Sequence, residues 1–362
     1  MTAMFFKIWQ INFSRRNNIF WFRTLRNQLE AKKKRNEMEK NGLVVPPVMI
    51  FSITNRCNLN CAGCYAHAQK RNINNELSSD RIKKLFSEAS ELGTGIILLA
   101  GGEPLMRKDI MEAAAAQKNT IFPVFTNGLL LQNGYMDLFS KNRNLIPVLS
   151  LEGDIIRTDK RRGSGVYGKV INAASEMNKQ RMFYGMSITL NRNNFEEVMS
   201  PEFINDYYEL GCRLFFFVEY VPIANGDSNN CLSDVQKSRM SSRLTNLRLV
   251  FSSLFIALPG DEDQYGGCLA AGRGFVHVSS TGDLEPCPFA PWSDVSLARK
   301  SLIEGLKSEF LKDVRAEHSS LSESAGGCTL WENREWTADM LSKTRKKKLE
   351  PVREKETSRI IA

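Results

Sequence analysis

The stretch VMIFSITNRCNLNCAGCYAHAQ, residues 48–69, joins a β-strand pattern to three closely spaced cysteines. Residues 48–54 are largely apolar and β-branched, which is typical of a strand buried on both faces of a parallel sheet. Cys57, Cys61 and Cys64 follow at C-x3-C-x2-C spacing, on the loop at the carboxyl end of that strand. In α/β barrels this end of the strands carries the chemistry, so the loop is the first candidate site.

After this strand, apolar strand patterns alternate regularly with amphipathic helix patterns. Strands are predicted at residues 48–54, 95–100, 121–126, 145–153, 183–190 and 213–221. Nearly apolar strands separated by helices indicate a parallel sheet covered on both faces. Six β/α units over residues 46–225 predict an α/β fold built on a partial (β/α)6 TIM-like barrel, with a doubly wound open sheet as the alternative.

After residue 222 the regular alternation of strand and helix patterns ends. The sequence predicts a helix over 234–254, a β-hairpin over 275–287 that turns at Thr281–Asp283, and a helix around 301–316. We therefore expect a small hairpin and helix domain over residues 226–340. The basic run that follows, residues 341–362, is typical of a solvated tail.

Residues 1–45 predict a basic, amphipathic helical extension with a break at Asn17-Asn18. Aromatic and apolar side chains recur at helical spacing on both sides of that break. The extension could pack on the body of the protein or on a second copy, or residues 1–30 could make peripheral contact with a membrane. All three readings stay open at this point.

Composition narrows the class of protein. The 362 residues contain no apolar run of the roughly 20 residues that a membrane span needs, and no signal peptide is recognised. We expect a cytoplasmic protein, with peripheral membrane attachment as the alternative. The net charge of +9 resides at the ends, +7 in residues 1–40 and +5 in 343–362, which leaves −3 on the body. No nucleic-acid partner is expected, because the body lacks a basic groove.

Three thiolates on one loop suit a particular kind of metal site. Structural zinc normally takes four protein ligands. A [4Fe–4S] cluster held by three cysteines keeps one iron for a non-protein ligand. An iron–sulfur site is therefore favoured, while zinc with a distant fourth cysteine and unrelated thiols remain as alternatives.

Later segments extend the pattern in chain order: LLAGGEPL at 98–105, FTNGLLL at 125–131, LSLEGD at 149–154 and TDKRRG at 158–163. With the cysteine motif, they make the chain resemble the radical S-adenosylmethionine (radical SAM) superfamily. The resemblance implies that Cys57, Cys61 and Cys64 hold a [4Fe–4S] cluster. Many members have an aromatic residue before the third cysteine, where this chain has Gly63, and one branch has the following tyrosine instead. The implied contacts with S-adenosylmethionine are Tyr65, Gly101, Gly102, Glu103, Pro104, Thr126, Asn127, Ser150, Glu152 and Arg162.

The same resemblance implies an activity. The reduced cluster would cleave S-adenosylmethionine to a 5′-deoxyadenosyl radical, which abstracts a hydrogen atom from the substrate. The electron donor would be a protein such as flavodoxin or ferredoxin. The expected substrate is a peptide or protein, with a small-molecule or lipid-linked substrate as the alternative. A further alternative is that the protein is not an enzyme but a non-catalytic iron–sulfur or zinc-binding scaffold. No catalytic acid or base is assigned.

A second cysteine group follows in the C-terminal part. Cys268, the hairpin with Gly282 and Cys287 in G-x4-C spacing, and Cys328 resemble the auxiliary-cluster domains called SPASM and Twitch. The resemblance implies a second iron–sulfur cluster on these three cysteines, with zinc or no metal as alternatives. Its fourth ligand stays open between Cys231, a non-cysteine side chain, water and substrate. Cys212 is expected to be a buried core thiol.

Overall fold

The computed structural model describes residues 15–222, 227–258, 262, 266–317 and 328–346. The aromatic residues predicted to start the N-terminal helix, Phe5, Trp9 and Phe13, lie outside these ranges, as does most of the basic tail.

Nine strands of the described chain form one sheet, in which the first seven strands follow the order of the chain and the last two lie beside the first strand. The strands are β1 (Val48–Thr54), β2 (Ile96–Gly101), β3 (Phe122–Thr126), β4 (Leu145–Leu151), β5 (Gly185–Leu190), β6 (Leu214–Glu219), β7 (Leu254–Leu258), β8 (Phe275–Val278) and β9 (Leu284–Glu285). The order is β7-β6-β5-β4-β3-β2-β1-β8-β9, and β1 to β7 are parallel. A doubly wound sheet would reverse its order at a switch point. The order here is sequential and the sheet curls into a half-barrel, so the partial-barrel prediction is confirmed.

Helices cover the sheet between its strands. They are α1 (Arg15–Lys40), α2 (Tyr65–Ala68), α3 (Ser79–Leu92), α4 (Lys108–Ala116), α5 (Tyr135–Lys141), α6 (Ile155–Arg162), α7 (Val166–Lys179), α8 (Phe195–Val198), α9 (Pro201–Glu209), α10 (Asp234–Val250), α11 (Leu302–Leu306), α12 (Glu309–Ala316) and α13 (Thr329–Glu332). Residues 334–346 are also helical.

Helix α3 illustrates how local sequence specifies these elements. The Ser78 hydroxyl accepts a hydrogen bond from the backbone N–H of Arg81, and Gly93 ends the helix with φ of 99°. The apolar stripe of the helix is buried against the sheet, where the Phe86 ring meets Phe51 and Phe122 edge to face at 5.9 and 5.1 Å. The apolar face of this helix was predictable because its period matches the helical repeat.

Two predicted helices have different bounds in the structure. The helix predicted over 234–254 ends at Val250, and residues 254–258 form β7, which the sequence analysis missed. β7 is only five residues long and alternates buried and partly buried residues, so its pattern was hidden at the end of the helical one. The helical pattern over 195–211 is divided into α8 and α9, since Pro201 begins a new helix capped by Ser200.

The N-terminal helix α1 docks on the amino ends of the strands. It runs without interruption through Asn17-Asn18, so the predicted break there is wrong. Gln28 Nε2 donates to the Gly95 carbonyl oxygen just before β2, at 2.9 Å, and the ring of Trp21 meets Phe183 just before β5, at 5.1 Å. For this helix, docking on the body is confirmed. Helices with the length and hydropathy of a membrane span are absent from the described ranges.

Two neighbouring aromatic residues of α1 provide a test of this docking. Trp21 is 8% exposed and Phe22 is 64% exposed. We expect Trp21→Ala to lower the free energy of unfolding by about 3 kcal/mol, because it removes a large buried ring, and Phe22→Ala to change it by less than about 0.5 kcal/mol. Denaturant titration of both variants measures this. Equal effects of the two substitutions would contradict the docking.

The C-terminal hairpin joins the barrel sheet beside the first strand. β8 pairs with β1 in parallel, Val48 opposite Phe275 and Phe51 opposite Val278, and β9 returns antiparallel to β8. The turn is held by Asp283, whose carbonyl oxygen accepts from the Ser279 N–H at 2.9 Å. The predicted hairpin is thus confirmed. Because β8 lies next to β1, Cys287 after β9 comes close to the loop that carries the first cysteine group.

Candidate active site

A cavity of about 180 Å³ opens at the carboxyl ends of the parallel strands. All three cysteines of the first motif line it, together with residues from the ends of β2 to β6. The lining residues are Cys57, Cys61, Gly63, Cys64, Tyr65, Ala100, Gly101, Gly102, Glu103, Phe125, Asn127, Ser150, Arg161, Arg162, Ser187, Thr189, Val218, Glu219, Tyr220, Val221 and Phe289. The parallel register brings the carboxyl ends of the strands to one rim, which is why segments distant in sequence meet here.

The Gly101-Gly102 turn lies directly against the backbone that leads into Cys57. The N–H of Gly102 donates to the Thr54 carbonyl oxygen at 2.7 Å, and the N–H of Glu103 donates to that of Arg56 at 2.8 Å. A Cβ atom on Gly101 or Gly102 would lie 2.2 or 2.1 Å from those same two oxygens. The glycines are therefore required by the close approach of the chain to itself, and any larger residue would push the cysteine loop away.

Glu103 is buried and connects this turn to the end of β3. Its carboxylate accepts from Thr126 Oγ1 and from the Asn127 N–H, both at 2.8 Å, and from the Leu105 N–H at 3.0 Å. Burial raises the pKa of Glu103, and the hydrogen bonds from these groups counteract that shift. The side chain thus orders the rim of the cavity whether or not it also touches a ligand.

Asn127 fixes the start of the cysteine loop. Its Nδ2 donates to Asn58 Oδ1 at 2.7 Å and lies 4.0 Å from the Cys57 sulfur. Its Oδ1 accepts from the Leu129 N–H at 3.0 Å. The T-N-G segment at the end of β3 therefore positions Cys57 through side-chain contacts.

Glu152 holds two arginines at the opposite wall. Its Oε1 accepts from Arg161 Nη1 at 2.5 Å and from Arg162 Nε at 2.8 Å, while the side chain is 2% exposed. Its Oε2 is buried and has no hydrogen-bond partner among the described residues. Since Glu152 does not line the cavity, it acts on the cavity by aligning the two guanidinium groups.

Arg161 connects this carboxylate to the cysteine loop. Its Nε donates to the Ala62 carbonyl oxygen at 3.1 Å, and its own carbonyl oxygen accepts from the Ala62 N–H at 2.9 Å. Its Nη1 also donates to Thr189 Oγ1 at 2.8 Å. Ala62 lies between Cys61 and Cys64, so Arg161 holds the loop between these two thiols.

The thiols of the first group suit a cluster with several irons. Burial raises the pKa of Cys57 and of Cys61, while the charge of Arg162 favours the thiolate of Cys61. Iron binding would supply the positive charge that stabilises the thiolates. No three His, Cys, Asp or Glu side chains of the described ranges converge as ligands of one metal ion. In a [4Fe–4S] cluster each cysteine binds a different iron, so convergence on one point is not required.

A second cavity, of about 110 Å³, carries the other cysteine group. Cys268, Cys287 and Cys328 all line it, within walls that are otherwise mostly apolar. A hydrogen bond with the Cys328 thiol, together with burial, raises the pKa of Cys287 well above its ordinary value. The Oγ1 of Thr329 is buried at this cavity and has no hydrogen-bond partner among the described residues. Three thiols and an unsatisfied hydroxyl around one cavity fit an iron–sulfur group, whose sulfur atoms accept hydrogen bonds.

The two cavities share one wall. Tyr65, which follows the last cysteine of the first motif, packs edge to face on Phe289 with ring centroids 5.2 Å apart. Both rings line both cavities, as do Ala100, Phe125 and Val218. The two cysteine groups are therefore separated by a thin layer of aromatic and apolar side chains.

The structure places most of the residues predicted to contact S-adenosylmethionine along the first cavity. Those that line it are Tyr65, Gly101, Gly102, Glu103, Asn127, Ser150 and Arg162. Pro104, Thr126 and Glu152 do not line it; Thr126 and Glu152 form hydrogen bonds with Glu103 and Arg162, which do. Cys212, expected as a core thiol, is fully buried, which confirms that expectation.

Sequence reasoning missed Arg161 and Glu219. Glu219, the last residue of β6, is 3% exposed, lines the first cavity, and has a buried Oε2 with no hydrogen-bond partner among the described residues. Burial raises its pKa to about 7. Lys237 Nζ lies 4.0 Å from it and 3.9 Å from Glu332. Glu219 could have been predicted from the sequence. It ends the apolar run RLFFFV, and the carboxyl ends of barrel strands are where catalytic residues lie.

The fold and the cysteine-lined cavity together define a class of protein. Residues 51–200 match the family model of the radical SAM superfamily. The Fe-coproporphyrin III synthase of Methanosarcina barkeri is 30% identical over 48% of this chain and 44% of that protein. The AdoMet-dependent heme synthase of the same organism is 26% identical over 68% of this chain and 78% of that protein. The chain thus spans less than half of the length of the first relative.

A solved structure agrees with the fold. Streptococcus suis SuiB, bound to its precursor peptide SuiA, superposes with a TM-score of 0.63 at 18% identity, covering 79% of this chain and 70% of SuiB. At that identity the similarity shows the fold alone.

Proposed function

We propose that this chain is a radical SAM enzyme that cleaves S-adenosylmethionine reductively and modifies a peptide or protein, with a second iron–sulfur cluster beside the site. The observation that carries the proposal is the first cavity. It gathers three thiols from one loop and the carboxyl ends of the parallel strands around a single space. Zinc-binding or iron–sulfur scaffolds would need the thiols but not the guanidinium of Arg162 and the carboxylate of Glu219 at the same cavity.

Each part of the rim has a task in this proposal. Cys57, Cys61 and Cys64 would hold the cluster, and Asn127 and Arg161 keep their loop in place. When bound, the cluster and S-adenosylmethionine supply a 5′-deoxyadenosyl radical that abstracts hydrogen.

The other groups would bind and orient the ligands. Ser150 and Arg162 offer a hydroxyl and a positive charge to a carboxylate or a ribose. Glu219 offers the cavity a carboxylate oxygen that can accept a hydrogen bond or a proton. The apolar wall formed by Phe125, Val218 and Phe289 keeps water from the reacting atoms.

The small size of the two cavities favours a peptide substrate. The two cavities, of about 180 and 110 Å³, are narrow and partly taken by the cofactors, so they suit a single side chain that enters from a longer chain. The structural neighbour SuiB binds a precursor peptide. A small molecule of the tetrapyrrole class is the second candidate, because two of the relatives in sequence are named as synthases of Fe-coproporphyrin III and of heme. A lipid-linked substrate is disfavoured, since α1 docks at the opposite end of the strands.

The test is an anaerobic assay of the iron- and sulfide-reconstituted protein with S-adenosylmethionine. Dithionite, and separately a reduced flavodoxin or ferredoxin, supplies the electron, and 5′-deoxyadenosine is measured. Formation of 5′-deoxyadenosine is expected. A protein that binds both iron and S-adenosylmethionine but yields none would be a scaffold. Titration with coproporphyrin III, followed by absorbance, separates the two substrate candidates, because stoichiometric binding would favour the tetrapyrrole.

Glu219 predicts a defined pH dependence of stability. Burial raises its pKa to about 7 from 4.5, with Lys237 opposing the shift and Glu332 adding to it. Glu219 therefore loses its proton at a lower pH in the unfolded chain than in the folded one. As a result, the free energy of unfolding falls by up to about 3 kcal/mol as pH rises from about 4.5 to 7. We expect Glu219→Gln to remove this decrease, so that the variant is more stable than the parent above pH 7 and equal to it near pH 4.5.

Denaturant titrations at several pH values compare parent and variant. Glu202→Gln, at an exposed position on α9, serves as the control. Parallel pH profiles for the parent and Glu219→Gln would contradict the prediction.

A further inference from the structure

The first cavity contains a carboxylate with an acceptor oxygen left over. Glu219, the last residue of β6, is 3% exposed, and its Oε2 is buried without a hydrogen-bond partner among the described residues. The other carboxylate that the described residues bring to this cavity is that of Glu103. Its two oxygens accept hydrogen bonds from Leu105, Thr126 and Asn127. Of the two groups, Glu219 is therefore the one that still needs a partner, and a ligand in the cavity can supply it.

Lys237 compensates the charge of Glu219 only in part. Its Nζ, on α10, lies 4.0 Å from Glu219 Oε1 and 3.9 Å from Glu332 Oε1, and both distances exceed that of a hydrogen bond. One positive charge is thus shared by two carboxylates. Burial raises the pKa of Glu219 to about 7, and the charge of Glu332 adds to that shift. A buried carboxylate in this setting is stabilised by a cation that enters the cavity.

The other charged groups that line the cavity suit the cofactor of the proposed function. Glu103 and Arg162 match the ammonium and the carboxylate of S-adenosylmethionine. Both act on the cysteine loop, since the charge of Glu103 raises the pKa of Cys57 and that of Arg162 lowers the pKa of Cys61. Glu219 interacts instead with the charges on α10 and α13. Its negative charge therefore remains for a second ligand, the substrate.

The cavity also offers the apolar surface that a long charged side chain needs. Val218, which precedes Glu219 on β6, lines it together with Phe125, Val221 and Phe289. Lysine and arginine bury their methylene stems along such surface while the charged end reaches a polar partner. A stem held in this way would lie in the same cavity as the three thiols, where the proposed function places hydrogen abstraction.

We propose that Glu219 binds the ammonium or guanidinium group of a lysine or arginine side chain of the peptide substrate, and so selects the residue that is modified. The inference rests on the proposed function, because it needs a peptide beside the cofactor. A neutral hydrogen-bond donor would satisfy Oε2 but would leave the charge of Glu219 without compensation, so a cation is the better partner.

The test measures peptide binding in the absence of a reductant. The probes are acetylated peptide amides of the sequence Gly-Ala-X-Ala-Gly, in which X is lysine, arginine or norleucine. Norleucine has the stem of lysine without its charge. Dissociation constants are measured by ligand-detected nuclear magnetic resonance at a pH above 7, with the anaerobically reconstituted full-length chain and saturating S-adenosylmethionine. The affinity of each protein for S-adenosylmethionine is measured separately by equilibrium dialysis.

Three variants are compared with the parent. Glu219→Gln keeps the side-chain volume without the charge, Glu219→Asp keeps the charge, and Glu202→Gln, at an exposed position on α9, is the control. The parent should bind the lysine and arginine peptides about tenfold more tightly than the norleucine peptide, because a hydrogen bond between charged groups is stronger than one between neutral groups. Glu219→Gln should lose this preference, while Glu219→Asp and Glu202→Gln retain it. Because Glu219→Gln is expected to be more stable than the parent above pH 7, unfolding would not explain the loss.

Equal affinity of the parent for the lysine and norleucine peptides would overturn the inference, as would the absence of binding of all three peptides. A preference that persists in Glu219→Gln would overturn it too. Weaker binding of S-adenosylmethionine by Glu219→Gln, with the peptide preference unchanged, would assign the carboxylate to the cofactor instead. Failure of the proposed function is recognised separately, as the absence of 5′-deoxyadenosine when the parent receives a reductant.

Discussion

Replacing Cys61 with alanine is expected to reduce 5′-deoxyadenosine formation by more than roughly a hundredfold. Cys61 lines the first cavity and directly precedes Ala62, whose carbonyl oxygen accepts a hydrogen bond from Arg161. Removing a residue that only hydrogen-bonds to a metal ligand already lowers metal affinity or activity by about 10- to 100-fold, so removing a ligand itself should lower them more. The measurement is 5′-deoxyadenosine per chain after anaerobic reconstitution, together with iron content, which should fall by about four irons per chain.

The matched control is Cys231→Ala. Cys231 lines neither cavity, and its backbone N–H and carbonyl oxygen form hydrogen bonds with Ser228 and Arg192 that alanine preserves. It should retain parental activity and iron. Activity in Cys61→Ala close to the parent would mean that this thiol does not hold the reactive cluster, and the proposed function would lose its main support.

Cys328→Ala should behave differently from Cys61→Ala. Cys328 lines the second cavity and forms a hydrogen bond with Cys287. We expect the variant to lose the second cluster while it still forms 5′-deoxyadenosine without product. Complete loss of cleavage in both variants would contradict this division between the two cysteine groups.

Glu152→Ala is expected to lower the free energy of unfolding by about 3 kcal/mol. The substitution leaves the guanidinium groups of Arg161 and Arg162, 18% and 12% exposed, without their shared carboxylate. Removing one partner of a buried ion pair typically costs about 3–5 kcal/mol, and the lower end applies because the arginines reach the cavity. Arg161 also holds Ala62, so the variant should release iron faster than the parent.

Denaturant titration and iron-release rates measure both effects. Glu152→Gln keeps an acceptor oxygen and should lose less stability than the alanine variant. The exposed Glu202→Ala on α9 is the control and should change stability by less than about 0.5 kcal/mol. A loss below about 1 kcal/mol in Glu152→Ala would show that solvent in the cavity already compensates the arginines.

Much of the fold could be predicted because it follows from local periodicity. The strand and helix patterns between residues 48 and 221 have clear periods, and strands joined by helical crossovers lie next to each other in the sheet. β7 was missed because its five residues, which follow a long helix closely, carry too short a pattern. The docking of α1 required contacts such as Gln28 to Gly95, across 67 residues.

The candidate site, like the fold, could be predicted from the sequence only in part. The first cysteine group was predictable, since three thiols within eight residues share a loop in any fold. Gly101 and Gly102 were predicted as contacts of S-adenosylmethionine, and the structure adds that they allow the close approach of the Thr54 and Arg56 carbonyl oxygens. Arg161 and Glu219 were missed, because their relevance comes from contacts to Ala62 and from facing the cavity.

By itself, then, the sequence determined the parallel half-barrel, the hairpin and the grouping of the first three thiols, because each depends on spacing along a few residues. Only the tertiary structure decided that Glu152 binds two arginines, that Glu219 faces the first cavity, and that a thin layer of aromatic and apolar side chains separates the cysteine groups. These features depend on strand register and on packing between residues far apart in the chain, and side-chain spacing carries no record of either.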